Sequence, residues 1–558
     1  MNRKEQLEKL RKEHFDVVIV GGGATGCGSA LDAVSRGLKV ALIERADFSS
    51  GTSSRSTKLI HGGIRYLEQA IKRFDRKQFF LVREALKERK ILKQLAPHLV
   101  REIEIFIPVY RWYLIVYYWI GLKLYDRLAG RYRLKKSVFL SAKHAIRRFP
   151  ELKRQKVVLN QSRPLCGGVI YYDGQFNDSR YNISLSITAW EKGAVILNRV
   201  EALSFIKNKF GKICGVTAKD NLTQEIINIQ GKVALYAAGP FIDQVRKIND
   251  KTASSLLQVS AGTHLVLGSK FLSSATGLLI PKTSDGRIVF CLPWYNRTLV
   301  GTTDISSSVT SNPIPSEEEI SYLLSNIKYY LNIEVKKTDV ESAWCGLRPL
   351  LLKKKKSQTE RKRDKRRFIS RDYSISVDNS QLITIAGGKW TTYRVMAIRA
   401  INHVVKTGGL STKNSSKTRD IFLIGGKDYK DDVEHLRAKF RFLPLDIASH
   451  LNQTYGNRAD RIVRLMKEGF SNRLILGFPY VEGEVIYAVR NEGALLINDI
   501  LSRRTRISFL GYFSAISCIE KIGKLLAIEL QWSQEKLMKE CVETRKLLKS
   551  FGQQIANK

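Results

Sequence analysis

Gly21, Gly23 and Gly26 stand in the order GxGxxG, and Glu44 follows eighteen residues after the last of them. In that spacing the first glycine permits a tight turn, the second lets backbone approach a pyrophosphate, and the third allows close packing of helix on strand. A helix opening at this turn presents free N–H groups and a positive dipole end to the phosphates. A carboxylate at the Glu44 position can accept hydrogen bonds from ribose hydroxyls and disfavours a 2′-phosphate. The pattern therefore predicts a dinucleotide cofactor, and NAD and FAD both use it. A flavin has to be held along its whole length, which calls for further glycine-rich backbone from distant segments. Ala237-Ala238-Gly239-Pro240 and Gly387-Gly388-Lys389, the latter before a helix starting near Thr391, are the candidates.

The elements that must position these glycines are legible nearby. Phe15 to Val20 (FDVVIV) is a short β-branched apolar run that ends in Gly21-Gly22-Gly23, as a buried parallel strand does on entering a turn. Ala24 to Arg36 supplies the helix, Gly37 closes it, and Lys39 to Glu44 (KVALIE) gives the second strand of a βαβ unit. Further strands are predicted at Val195–Leu197, Lys232–Ala237, His264–Leu267, Arg287–Leu292 and Thr298–Gly301, an α+β stretch. Ser411 to Thr418 reads as a linker. Beyond it, Glu484–Leu510 and Ile519–Leu547 carry apolar residues at three- and four-residue spacing, which predicts a separate helical cap.

With 558 residues, 44% apolar and 26% charged, the chain has globular composition and room for two or three domains around a large cofactor. Lys plus Arg outnumber Asp plus Glu by 94 to 52, a formal charge of +42, which suits an anionic partner and which a basic drift in overall composition would produce equally without one. No RNP, zinc-finger or helix-turn-helix pattern organises that charge for reading bases, and nucleic acid is not expected. Lys353 to Arg367 (KKKKSQTERKRDKRR) is nearly all basic without apolar period, a solvated and potentially lipid-facing loop.

The most apolar and aromatic segment is WYLIVYYWIGL, Trp112 to Leu122. Eleven helical residues reach only about half of a hydrocarbon core, so it cannot span. Its Trp and Tyr content, with Lys123, Arg127, Arg131 and Arg133 just beyond, suits a monotopic contact with lipid; the alternative is a helix packed on the core. Seven dispersed cysteines without a CxxC pair predict neither a disulfide framework nor a zinc site, and no metal site is expected. Residues 1–14 lack the apolar region of a secretory signal and carry Glu5, Glu8 and Glu13, which makes them a poor transit peptide.

From Gly51 to Glu68 the chain reads GTSSRSTKLIHGGIRYLE, and here it resembles the FAD-dependent glycerol-3-phosphate dehydrogenase family, most closely the mitochondrial type. The resemblance continues through EALKERKILKQLAPHL, YYWIGLKLYDRLAG, DGRIVFCLPW, TLVGTTD, GLRPL, AGGKWTTYR and RRTRISFL, nearly the full chain. It implies a Rossmann-like α/β FAD-binding domain of the GR2/DAO type, with an α+β substrate domain and a C-terminal all-helical cap. The corresponding division is 14–104, 190–254 and 375–408 for FAD, 105–189 and 255–374 for substrate and membrane contact, 409–418 as linker and 419–558 as cap.

The reaction implied by the resemblance is oxidation of sn-glycerol 3-phosphate to dihydroxyacetone phosphate, hydride passing to FAD and electrons on to membrane quinone. It needs a base for the hydroxyl proton and cations for the phosphate. By resemblance His264 (GTHLVLG) is the base, and Arg348 (GLRPL) polarises the C2 oxygen or grips phosphate. Arg65 and Tyr66 stand on the phosphate side, joined by Lys389 and Arg371. Two residues after Arg371 the family commonly has histidine and this chain has Tyr373. Ser53, Ser54, Lys58, His61 and Gly62 should lie along the cofactor, with Gly239, Asp304 and Gly388 beside it, while Thr391 and Thr392 cap a helix aimed at the flavin pyrimidine. No DxDxDG calcium loop is present, so calcium control is not expected. The partners implied are glycerol 3-phosphate, a quinone and a membrane surface, mitochondrial or on the cytoplasmic face of a bacterial membrane; a homodimer stays open. The rival readings are an oxidase that passes electrons to oxygen and a non-catalytic flavoprotein or membrane scaffold.

Overall fold

The computed structural model describes every residue except 1, 65–66, 69–73, 159–160, 284, 353–368, 371 and 557–558. Among these, FDVVIV is the centre of an eight-stranded sheet: His14–Val20 lies between Val40–Glu44 and Ile226–Tyr236, all parallel. Val195–Asn198 and Ile383–Gly387 extend the parallel part on either side, while Val200–Lys207, Ile213–Asp220 and Tyr373–Val377 join it antiparallel. Side chains alternate along a strand, so Val17, Ile19, Val40 and Leu42 pack with helix Ala24–Ser35, and Val18, Val20, Ala41 and Ile43 pack on the opposite face with Leu7 and Leu10. Those two leucines belong to an N-terminal helix, Arg3–Lys12, that the charged sequence does not announce.

Among the described residues the second sheet has eleven strands, antiparallel except where Gly277–Ile280 runs parallel to Val100–Val109. Its longest pair is Leu257–Gly268 with Val340–Leu352. The first of these starts seven residues before His264, earlier than expected, because Ser260, Gly262 and Thr263 interrupt the apolar pattern that marks a strand. The strand expected at Arg287–Leu292 runs over Val289–Trp294, two residues later at each end.

The apolar-aromatic segment forms helix Trp112–Ala129, seven residues longer than its apolar part. Trp112, Val116 and Ile120 stay exposed on it, Trp112 at 72%. Among the described residues no helix is long and apolar enough to cross a membrane.

The C-terminal part is helical, but both predicted helical runs are broken. Glu482–Glu492 ends at Gly493 in a left-handed cap, followed by Ile497–Asp499, a π-helical turn Ile500–Arg504 and Ile507–Leu510. The second run is two helices, Tyr512–Leu530 and Gln534–Ala556, hinged at Gln531. The helical unit packs directly on the large sheet. Leu510, Ile519 and Phe551 share one apolar cluster with Ile103, Val266 and Trp344 of the large sheet. The linker lacks regular structure yet is anchored: Lys413 N donates to Arg36 O at 2.9 Å, and Arg394 reaches Thr418 Oγ1 at 3.3 Å.

Candidate active site

The strand His14–Val20 delivers Gly21 into the turn with φ +119°, and the Ala237 carbonyl lies where a side chain would begin. A Cβ on Gly26 would overlap the Gly21 carbonyl, so the spacing of these glycines is a requirement of helix-on-strand contact. Glu44 is half-buried at the cleft and accepts from Gly22 N at 2.6 Å and Ala46 N at 2.9 Å, bracing the turn. Burial raises its pKa. A cleft of about 690 Å³ opens here, lined by Gly21, Gly23, Glu44, Ser53, Ser54 and Gly239 among others. Its volume, glycine-rich backbone and acidic residue fit a dinucleotide.

The loop along this cleft is fixed from below. Lys58 is fully buried in left-handed backbone at φ +63°, and its Nζ donates to Ser54 O and Asp178 Oδ2, each at 2.7 Å. Burial draws the Lys58 pKa down against the pull of Asp178. Asp178 also accepts from Ser56 N at 3.0 Å, Ser56 Oγ at 2.8 Å and Arg506 at 3.3 Å, while Arg506 donates to Ser54 O at 2.6 Å. Farther along, Trp390 Nε1 donates to Ser53 O at 2.9 Å, His61 N reaches Thr391 Oγ1 at 3.3 Å, and Gly62 N donates to Tyr125 Oη at 2.8 Å. Ser53, His61 and Thr391, distant in sequence, therefore form one wall.

His264 lies on the large sheet opposite Trp344 on one side and Gly301 on the other. Its ring stacks on the indole at 4.1 Å and 13°. A Cβ at Gly301 would overlap the imidazole, so the glycine gives the ring its place. Nε2 is 2.9 Å from Thr57 Oγ1, and the buried Nδ1 has no hydrogen-bond partner among the described residues. Burial, reinforced by the charges of Lys58 and Arg348, holds the imidazole well below its ordinary value of 6.5. It is neutral at physiological pH, the form able to take a proton.

Arg348, paired with Ser260 on the neighbouring strand, reaches Thr302 Oγ1 at 2.9 Å, Thr303 O at 3.0 Å, Ala261 O at 3.3 Å and Asp304 at 3.2 Å. Its guanidinium is locked between two segments of the sheet, and Asp304, expected beside the cofactor, is its counter-charge and also accepts from Ser260. Lys389 and Gly388 stand at the entry to the turn Trp390–Thr392, which leads into helix Tyr393–Gly408. Arg65, Tyr66 and Arg371 lie outside the described residues. Tyr373 contacts Arg399.

Thr57, Asp178, Trp344 and Arg506 belong to the site without having announced themselves. Three arginines crowded into RRTRISFL were the available signal, since buried arginines need counter-charges. Arg503 and Arg504 both pair with Asp47, three residues after Glu44. Burial would raise the Asp47 pKa, but the two guanidinium groups overcome it and hold the carboxylate far below its usual range.

A family model described as FAD dependent oxidoreductase matches residues 16–393, and one described as C-terminal domain of alpha-glycerophosphate oxidase matches 416–537. The chain is 43% identical to the mitochondrial glycerol-3-phosphate dehydrogenase of Homo sapiens over 98% of its own length and 75% of that protein. It is 42% identical to a mitochondrial glycerol-3-phosphate dehydrogenase of Arabidopsis thaliana, covering 96% of this chain and 86% of that one. The solved glycerol-3-phosphate dehydrogenase from Bacillus halodurans, complexed with FAD, superposes with a TM-score of 0.78 at 29% identity over 98% and 97% of the two chains. With both parts matched and the identity spread over nearly its whole length, the chain belongs to the FAD-dependent glycerol-3-phosphate dehydrogenase family.

Proposed function

We propose that this chain oxidises sn-glycerol 3-phosphate at C2 to dihydroxyacetone phosphate and delivers the electrons to a membrane quinone. The observation that carries the reading is a buried His264 and a locked Arg348 on one face of the large sheet, tied through Thr57 to the loop along the dinucleotide cleft. His264 takes the C2 hydroxyl proton, and Arg348 stabilises the developing charge on that oxygen. Lys389, with Arg65, Tyr66 and Arg371 assigned by motif, holds the phosphate. FAD, when bound, supplies the hydride acceptor. Glu44 and the glycine turn hold its adenosine and pyrophosphate, and the Ser53–Gly62 loop, with Gly239, Gly388, Thr391 and Thr392, holds the rest.

The domain division read from the sequence serves this scheme: the parallel sheet carries the cofactor and the large sheet carries base and arginine. Helix Trp112–Ala129 is the membrane contact. Its exposed Trp112, Val116, Trp119 and Ile120 insert at the interface while the exposed Arg127 meets anionic head groups. The mitochondrial relatives favour a mitochondrial membrane as the location.

The acceptor is tested on purified protein in anionic vesicles, with glycerol 3-phosphate and a short-chain ubiquinone. Quinone should be reduced with little hydrogen peroxide released in air. Peroxide formed in step with substrate consumed, with quinone ignored, would make the protein an oxidase.

A further inference from the structure

We propose that the C-terminal helical unit forms a wall of the cofactor site and retains the adenosine-diphosphate half of FAD. The 690 Å³ cleft that contains Gly21, Gly23 and Glu44 is closed on another side by Leu496, Asn498, Glu540, Leu547 and Phe551, all from beyond residue 490. Glu540, Thr544, Leu547 and Phe551 recur at four-, three- and four-residue spacing on helix Gln534–Ala556, and so share one face. Thr544, within that stripe, is buried and donates to Glu540 Oε1 at 3.4 Å. Phe551 is buried against Phe509, ring centres 4.8 Å apart, and carries the Arg55 guanidinium 5.6 Å from its own ring centre. Leu547 stays 43% exposed while lining the cleft.

The same unit fixes the loops on the cofactor side. Arg503 and Arg504 converge on Asp47, just past Glu44, and Arg506 holds the Ser54 carbonyl. Both cofactor loops are thus tied to the wall that faces them. Leu496, Leu547 and Phe551, the apolar members of that wall, also keep water from the phosphates, where the helix dipole acts more strongly in a low dielectric. FAD can leave by this side only if helix Gln534–Ala556 moves aside.

The test measures FAD release from the full-length holoenzyme by the rise of free-flavin fluorescence after dilution. Leu547→Ala and Phe551→Ala should release FAD about tenfold faster, as expected for losing roughly 1.4 kcal/mol of apolar contact. Met538→Ala and Val542→Ala, on the exposed face of the same helix, should release it at the wild-type rate. Release at the wild-type rate from the cleft-facing variants would overturn the proposal, as would equal acceleration in the outward-facing ones. Because Leu547 is half exposed, its truncation leaves the core intact and keeps the test decisive if Phe551→Ala does not fold.

Discussion

His264 Nε2 and Thr57 Oγ1 meet at 2.9 Å, joining the large sheet to the loop that runs along the cofactor cleft. The strand sets the height of the imidazole and Trp344 sets its plane, but the cofactor loop sets its hydrogen bond. Thr57→Val keeps the shape and removes the hydroxyl. It should slow flavin reduction by about tenfold, the effect of one lost hydrogen bond of about 1 kcal/mol or somewhat more, with little change in KM. Stopped-flow reduction over a range of substrate concentrations separates the two; a raised KM with an unchanged limiting rate would remove Thr57 from the catalytic contact.

Burial lowers the pKa of His264, and that of His98 to about 3, well under the ordinary 6.5. Well above 6.5 neither histidine is protonated in the folded or unfolded chain. Below it the unfolded chain binds protons that the folded chain refuses, so stability falls as pH drops from 6.5 toward the folded values. Each histidine contributes a slope of up to about 1.4 kcal/mol per pH unit. His98→Asn should therefore narrow the gap between urea midpoints measured at pH 7 and pH 5. An unchanged gap would mean that His98 titrates normally in the fold.

Asp178 is the counter-charge for both Lys58 and Arg506. Asp178→Ala leaves two buried cations without it, a change that costs about 3–5 kcal/mol in comparable buried pairs. The unfolding midpoint should fall accordingly and FAD should be held less well, since the Ser54–Lys58 backbone loses its anchor. A variant with wild-type stability and FAD content would show that the network is dispensable.

Trp112 and Ile120 are exposed on helix Trp112–Ala129 and contribute little to the fold. Burying each in lipid is worth about 1.5–3 kcal/mol, so Trp112→Ser with Ile120→Ser should weaken binding to anionic vesicles by about a hundredfold or more. Vesicle flotation reads the binding, and the melting temperature should not move. Undiminished flotation would place the membrane contact elsewhere.

The glycine turn was legible because FDVVIV, the helix after it and KVALIE are local, and local pattern determines a βαβ unit. His264 was legible only through the surrounding motif, since Ser260, Gly262 and Thr263 break the apolar pattern of its strand just before it. The burial of Lys58 was not legible at all. Lysine is ordinarily exposed, and its partner Asp178 lies 120 residues away. In the cap the helical spacing of apolar residues runs on through Gly493 and Gln531, so it does not mark the left-handed backbone that ends each helix there. Its tie to the cofactor-side loops depends on Arg503, Arg504 and Arg506 finding acids in distant segments, and no period in the sequence encodes that.

The central claim is that His264 serves hydride removal from C2 of glycerol 3-phosphate beside FAD. Its most direct test is anaerobic single-turnover mixing of the FAD-loaded protein with glycerol 3-phosphate, followed at the flavin absorbance. The wild type should bleach fully, and His264→Ala should bleach about a hundredfold or more slowly with a similar substrate dependence. A wild-type flavin that does not bleach, or a His264→Ala variant that bleaches as fast as the wild type, would contradict the account.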